Sequence, residues 1–286
     1  MSGRPQILGI VNVTEDSFSD GGLYLAAEDA HAHARSLIAS GADAVDLGAA
    51  ASNPNAQSVS SECEIGRLAP LVDALRREGI AISIDSFSPR TQSWALEQGV
   101  AYLNDIHGFA HPELYPRLAA ADAKLIVMHA LNNEGPARRE DETPPNLFAH
   151  ILGFFRQRIA ALADAGISGG RLILDPGMGL FLGRSRAASF DVLRRITELK
   201  AAFGLPVLVS VSRKSFLWPP GRKPGEAGAA TLAAELFAAS RGVDYIRTHD
   251  PGALRDALGV FEALTGERAA GSALWGNRQG FSAMMQ

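Results

Sequence analysis

Short runs of apolar residues recur along this chain, and nearly every one is followed by a longer stretch whose apolar positions repeat at helical spacing. The runs fall at 7–12, 44–47, 82–85, 102–105, 125–128, 172–175, 207–211 and 245–248, eight in all. They are continuous rather than alternating, which predicts parallel strands buried on both faces and joined by helical crossovers. Helices are predicted between them. Ala30, Ala34, Leu37 and Ile38 make one stripe, Leu232, Leu236 and Phe237 begin another, and further helices read at 62–77, 89–98, 112–121, 147–165, 187–203 and 252–265. Eight β-then-α units with no linker between halves predict one (β/α)8 TIM barrel spanning about 6–265, with a doubly wound open sheet as the alternative. The whole chain, 1–286, then reads as a single domain with a frayed tail at 266–286. Two connections, 130–146 and 215–228, are long enough to be lids, and both follow strands, so both are expected over the same mouth.

Composition narrows the partners. Lys and Arg total 27 against 31 Asp and Glu, a net charge of −4, so there is no basic surplus to hold nucleic acid or an anionic membrane. The single cysteine, Cys63, excludes an internal disulfide framework and suits a reducing compartment. The apolar run at 7–13 is broken by Gly9 and Asn12 and is too short for a signal or a membrane span. A soluble cytoplasmic protein is expected.

In a β/α barrel, chemistry gathers where strands end, so the polar residues closing each run are the candidates. They are Asn12, Asp46, Asp85, Asn104 with Asp105, His129, Asp175, Arg213 with Lys214, and Arg247 with His249. Each alone has an ordinary reading: Asp85 or Asp175 as a helix cap, Lys214 as a solvated residue, His129 as a satisfied core histidine. Together they predict one polar concavity. Acids and amides such as Asp85, Asn104 and Asp175 suit a planar heterocycle with several N–H donors and a carbonyl, such as a pyrimidinone-like ring. Lys214, Arg247, His249 and nearby Arg213 suit a phosphate, a diphosphate or a developing oxyanion. A diphosphate usually brings Mg2+, for which Asn12 or one of the acids could supply an oxygen.

Other motifs carry less. Asn12-Val13-Thr14 matches a glycosylation acceptor, but it ends a buried strand and no secretory signal accompanies it. Gly177-Met-Gly179-Leu-Phe-Leu-Gly183 has neither the dinucleotide nor the P-loop spacing and reads as a tight turn. His31 and His33, two apart on a helix, face different ways and cannot share zinc. Cys63 lies at a helix start, yet no histidine is near it in sequence, so a structural role is expected.

From about Ile7 to Leu264 the chain resembles the dihydropteroate synthases of the pterin-binding barrel superfamily. The resemblance rests on Gly9-Ile-Val-Asn-Val-Thr-Glu-Asp-Ser-Phe-Ser-Asp-Gly-Gly22, Ile84-Asp85-Ser86, Leu103-Asn104-Asp105-Ile106, Met128-His129, Leu174-Asp175-Pro176-Gly177, Ser212-Arg213-Lys214-Ser215 and Arg247-Thr248-His249-Asp250, in order. It implies condensation of 6-hydroxymethyl-7,8-dihydropterin diphosphate with p-aminobenzoate, giving dihydropteroate and pyrophosphate in folate synthesis. Lys214, Arg247 and His249 would then be catalytic. Asp85, Asn104 and Asp175 would hold the pterin edge, with Lys214 at the carbonyl side and Arg247 stacked on the ring and approaching the diphosphate. Asn12 would bind Mg2+ and His249 the diphosphate, with Ser52 and Thr248 also in the substrate site. Ser215 would help hold the p-aminobenzoate carboxylate near the start of the following helix, whose positive dipole end favours an anion. A homodimer is also implied.

Diphosphate leaves readily once Mg2+ and cations take up its charge, and the electron-rich dihydropterin stabilises an exocyclic cation, so an SN1-like path is expected with the neutral arylamine attacking second. The family's usual Gly-Gly-Glu-Ser-Thr-Arg-Pro-Gly reads Gly48-Ala-Ala-Ala-Ser-Asn-Pro-Asn55 here, placing Ser52 for threonine and Asn53 for arginine. After Asp175-Pro176-Gly177, Met178-Gly-Leu-Phe-Leu-Gly-Arg184 replaces Phe-Gly-Phe-Gly-Lys with two residues inserted. These departures resemble the acquired, sulfonamide-insensitive branch, in which Phe181 would clash with the drug and spare the flat substrate. Three rivals are a pterin-dependent methyltransferase, a Schiff-base aldolase using Lys214 with its pKa lowered by Arg213 and Arg247, and a non-catalytic pterin-binding protein.

Overall fold

The computed structural model describes residues 4–13, 22–50, 59–132, 142–218 and 227–266. Eight strands follow one another along it: β1 (Gln6–Asn12), β2 (Ala44–Gly48), β3 (Ile82–Asp85), β4 (Tyr102–Asp105), β5 (Lys124–Met128), β6 (Leu172–Asp175), β7 (Leu208–Val209) and β8 (Tyr245–Thr248). All named pairings are parallel, in the order β6-β5-β4-β3-β2-β1-β8-β7. A parallel bridge from Leu174 to Val207 joins the two ends and closes the barrel. Closure removes the open sheet from contention.

The helices are α1 (Gly22–Ala39), α2 (Ser61–Arg77), α3 (Pro89–Glu97), α4 (Tyr115–Ala120), α5 (Leu147–Asp164), α6 (Arg186–Arg194), α7 (Ile196–Phe203), α8 (Gly228–Ser240) and α9 (Pro251–Thr265). Side-chain caps set several starts. Ser60 accepts from the Cys63 N–H, Ser88 from Thr91 and Asp250 from Ala253, and Pro89 and Pro251 open their helices where an N–H has no partner to lose.

Three predicted elements differ. The helix at 187–203 is two, broken at Arg195. The helix at 112–121 begins as a 3-10 turn over Pro112–Leu114, and only Tyr115–Ala120 is α-helical. On α8 the large residues Leu232, Leu236 and Phe237 are partly buried, whereas Thr231, Ala234, Glu235, Ala238 and Ala239 face the barrel. Small side chains bring this helix close to the sheet, so its inward face is set by size rather than hydrophobicity.

The barrel interior has its own cluster, Leu8, Ala44, Tyr102, Ile126, Ile173, Leu208 and Tyr245, separate from the larger core between strands and helices. Lys124 Nζ donates to the Tyr245 hydroxyl at 3.0 Å, and the Tyr102 hydroxyl donates to Gln6 Oε1 at 3.1 Å. Burial, with Tyr245 adding to it, raises the Tyr102 phenol to about 12. Among the described residues no helix is long and apolar enough to cross a membrane.

Candidate active site

Two residues beyond the floor, each even-numbered strand turns a polar side chain inward: Asp46 from β2, Asn104 from β4, Asp175 from β6 and Arg247 from β8. Asp46 and Asn104 are fully buried and Asp175 is 2% exposed. Register places Gly48 beside Asp85 and Asp85 beside Asn104, so β3 adds its terminal acid to the same mouth. Among the described residues, neither amide atom of Asn104 has a hydrogen-bond partner, nor does either Asp46 oxygen or the Ser83 hydroxyl. Such atoms are costly to bury unless a ligand satisfies them, which marks the concavity as a binding site for a polar, flat molecule.

Arg247 is the hub. Its Nη2 donates to Asp85 Oδ2 at 2.5 Å, and its Nε lies 2.5 Å from Asp46 Oδ2, an ionic contact without hydrogen-bond alignment. Burial opposes its charge, but Asp46, Asp85 and Asp175 together hold its pKa above the ordinary arginine value. Burial dominates the acids instead. It raises Asp85 to about 6 despite Arg247, with Asp46 adding repulsion, and it raises Asp175 despite Lys214. Lys214 is lowered to about 8, chiefly by burial, with Asp175 opposing and Arg247 assisting. Arg213 is not among the causes, which corrects the expectation that both arginines tune this lysine.

The segment after β6 is a tight turn, as its glycines suggest. Gly177 and Gly179 have φ of 73° and 68°, and a 3-10 turn covers Gly179–Leu182. The Gly177 N–H donates to Asp175 Oδ1 at 2.8 Å. Lys214 Nζ donates to the Met178 carbonyl at 3.1 Å and lies 4.7 Å from the Phe181 ring centroid. Arg186, at the start of α6, donates to the Phe216 and Trp218 carbonyls, tying this segment to the loop after β7. On the far side of the mouth, His249 Nδ1 and Ser212 Oγ are 2.9 Å apart, and the His249 N–H donates to the same hydroxyl at 3.2 Å. Burial, then Arg213 and Arg247, lowers His249 to about 4, so it is neutral at pH 7.

Residues 8–249 match the family described as pterin binding enzyme. Dihydropteroate synthase type-2 of Escherichia coli is 57% identical over 259 residues, spanning 90% of this chain and 95% of its own length. The chain belongs to the dihydropteroate synthases. Type-3 of the same organism is 49% identical over 260 residues, covering 91% of this chain and 99% of its own. Among solved structures, Xanthomonas albilineans dihydropteroate synthase with 4-aminobenzoic acid superposes with a TM-score of 0.84 at 33% identity, covering 93% of this chain and 94% of that one. The same enzyme in complex with 7,8-dihydropteroate gives 0.81 at 32% identity, covering 94% and 96%.

Set against this family, the barrel brings Asp85, Asn104, Asp175, Lys214 and Arg247 to one mouth, with Asn12 exposed at the end of β1 and His249 at the end of β8. Ser52, Asn53, most of the first signature and the centres of both long connections lie outside the described residues. Two expectations need correction. Ser215 begins a three-residue 3-10 turn, Ser215–Leu217, well before α8 starts at Gly228, so no helix dipole stands behind it. Thr248 is fully buried, donates to Glu235 and accepts from the Asp250 N–H at 3.3 Å, so its side chain lies behind the mouth. Arg247 is ion-paired with Asp46 and Asp85.

Two strand-end residues are structural. Asp105 accepts from Gln92 and from the His107 and Phe109 N–H groups, fixing the turn after β4. His129 is fully buried between the Pro176 carbonyl, at 3.2 Å, and His150, at 3.1 Å. Cys63 is an exposed free thiol, and His31 pairs with Glu78. Asp46 was legible as a strand end, but its place as the inner partner of Arg247 was not. Glu235 gave no signal, because a lone glutamate inside an apolar helix reads as a solvated position.

Proposed function

We infer that this dihydropteroate synthase condenses 6-hydroxymethyl-7,8-dihydropterin diphosphate with p-aminobenzoate, and that it does so at the mouth just described. The observation that carries the site assignment is the buried amide of Asn104, unsatisfied among the described residues, set between two acids and Arg247. An aminopyrimidinone edge presents alternating donors and acceptors, and Asp85, Asn104 and Asp175 offer the complement, with Lys214 facing the carbonyl. Ring binding at Asp85 would free part of Arg247 to cover the ring and approach the diphosphate. Ser212 accepts from the His249 N–H, so its own proton is available to Nδ1, and Nε2–H is left to face the anion.

Asn12 fits a role toward Mg2+. Its exposed side chain supplies one neutral oxygen, and no group of three His, Cys, Asp or Glu among the described residues forms a metal cage. That suits an ion carried by phosphate and water ligands. When bound, Mg2+ would take up charge building on the departing pyrophosphate. Lys214, Arg247 and His249 stabilise the leaving group, the electron-rich ring itself spreads the positive charge left at the exocyclic carbon, and the neutral arylamine needs no strong base. Ser215 and Phe181 would border p-aminobenzoate, Thr248 would contribute through its backbone, and Ser52 keeps the substrate-site role that the family resemblance implies.

Sulfonamide discrimination belongs to the same proposal. Phe181 is held by the Phe181 carbonyl accepting from the Leu131 N–H at 3.0 Å and by Lys214 against its ring. With its main chain anchored and its ring against Lys214, Phe181 can exclude the bulk a sulfonamide carries beyond its sulfonyl group. The expected homodimer has apolar surface to use, Val260 and Leu264 on α9, and light scattering tests it. For the function itself, pyrophosphate release is measured with Mg2+ and both substrates, with and without excess sulfamethoxazole. Release that survives the drug is expected. Release abolished by the drug removes the discrimination, and no release removes the catalytic reading in favour of pterin binding alone.

A further inference from the structure

Behind the His249 side of the mouth lies a cavity of about 240 Å³ between α8, α9 and the ends of β7 and β8. Arg213, Ser212 and His249 face it from the strand ends, and Glu235 faces it from α8. Glu235 is 2% exposed, and its Oε1 has no hydrogen-bond partner among the described residues. Its carboxylate accepts from Thr248, the residue between Arg247 and His249. A buried carboxylate with a vacant oxygen, beside a cation and next to the residues read above as holding the diphosphate, is an odd neighbour for an anion site. In its ionised form it would repel the ligand. In its protonated form Oε1–H becomes a donor.

We propose that Glu235 is a proton-linked positioning residue for the anion: it takes up a proton from solvent when the diphosphate binds and returns it when pyrophosphate leaves. The inference rests on the assignment of His249 to the diphosphate, with Arg213 lining the same cavity. Burial already lifts this carboxyl to about 7, with Asp250 contributing, so little further change is needed to complete its protonation. Among the described residues, the charged and titratable groups facing the cavity are Asp250 and His249 from the β8 end and Arg213 from the β7 end, with His33 of α1 acting on His249, and α9 contributes only Ala253 there. His249 titrates too low to interfere. Lys214 and Asp85 titrate on either side of neutrality, so the enzyme's total proton uptake does not isolate Glu235.

A ratio does. Pyrophosphate binding to wild type and to Glu235→Gln is measured by calorimetry from pH 6.5 to 8.5, with Mg2+ fixed. Every other group, including the ligand, cancels in the ratio of dissociation constants. Wild type should weaken relative to the variant by about fivefold across this range, the change expected if binding raises the Glu235 pKa by about one unit. A ratio that does not change with pH overturns the proposal, and a purely structural role for Glu235 gives that result. Pyrophosphate binding to neither protein overturns the anion-site reading and the inference with it. Sulfate, which has no proton to exchange in this range, gives a second reading: at pH 7 wild type should draw up about 0.4 proton more on binding it than Glu235→Gln does, read from buffers of different ionisation enthalpy. Equal uptake by the two proteins refutes the proposal, and Glu235→Ala takes the place of the glutamine variant in both measurements if that variant fails to fold.

Discussion

Replacing Asp85 with Asn separates what the site costs the fold from what it does for the ligand. Asp85 carries a pKa of about 6 in the folded protein against about 4 in an unfolded chain. The folded state therefore binds this proton more tightly, so the group favours folding below about pH 4 and that advantage is lost as pH rises through 6. Above pH 6 the buried, ionised carboxylate disfavours folding by at most roughly 3 kcal/mol, from a shift of about two units. Its charge is shared with Arg247 and Asp46, and about half of that ceiling, ~1.5 kcal/mol, is expected to be recovered by the amide. Urea unfolding of wild type and Asp85→Asn at pH 4.5 and 7.5 measures it. Roughly 2 kcal/mol of that ceiling falls between these two pH values, so the stability difference should move toward the variant by about 1 kcal/mol, while its affinity for the pterin falls about tenfold or more. A difference independent of pH, or one moving toward wild type as pH rises, would show that the Arg247 pairing outweighs burial and refute the argument.

Lys214, lowered to about 8, should lose its proton as pH rises, so kcat/KM for the pterin substrate should fall through about pH 8; Lys214→Arg should carry that limb beyond pH 9 at reduced rate, and an unmoved limb would point to another group. Deleting Leu180 and Phe181 should lower the sulfonamide inhibition constant by roughly a hundredfold, the equivalent of a clash of about 3 kcal/mol, and an unchanged constant sinks the steric account. Gly177→Ala would place a Cβ 2.3 Å from the His129 carbonyl at a φ of 73°, and a loss of roughly 2–4 kcal/mol in urea unfolding is expected. Chelation by EDTA should abolish turnover and leave the Tm of the ligand-free protein unchanged, because Asn12 alone is too weak a site to tie metal to folding; a large fall in Tm would reveal a resident ion.

Much of the barrel is legible in sequence because its strands are buried on both faces and end in polar residues. β3, β4, β6 and β8 begin and end as the apolar runs do. β7 is shorter than its run of 207–211, since apolar residues there stay buried after ladder pairing stops, and Val211 is one of them. Side-chain direction was legible less well. Asp105 and Asn104 are adjacent and equally polar, yet only Asn104 faces the mouth, and that follows from the alternation of β4 rather than from residue type. The same rule turns Thr248 outward between Arg247 and His249. What pattern could not supply was pairing across the barrel, such as Asp46 with Arg247, because the two are 201 positions apart and meet only when the sheet closes.

The floor of Leu8, Ala44, Ile126 and Ile173, with its two tyrosines, divides labour along the barrel axis. Beneath it, each change is felt by neighbours on several strands. Above it, the Gly179–Leu182 turn sends Leu182 into the outer core between strands and helices and leaves only Leu180 and Phe181 partly exposed. The two halves of the turn therefore tolerate change unequally: positions 180 and 181 can vary in size with little demand on the packing around them, whereas Gly177 and Leu182 are tied to it. If drug discrimination resides at Phe181, it sits at the part of the turn that can be altered at least cost to the fold.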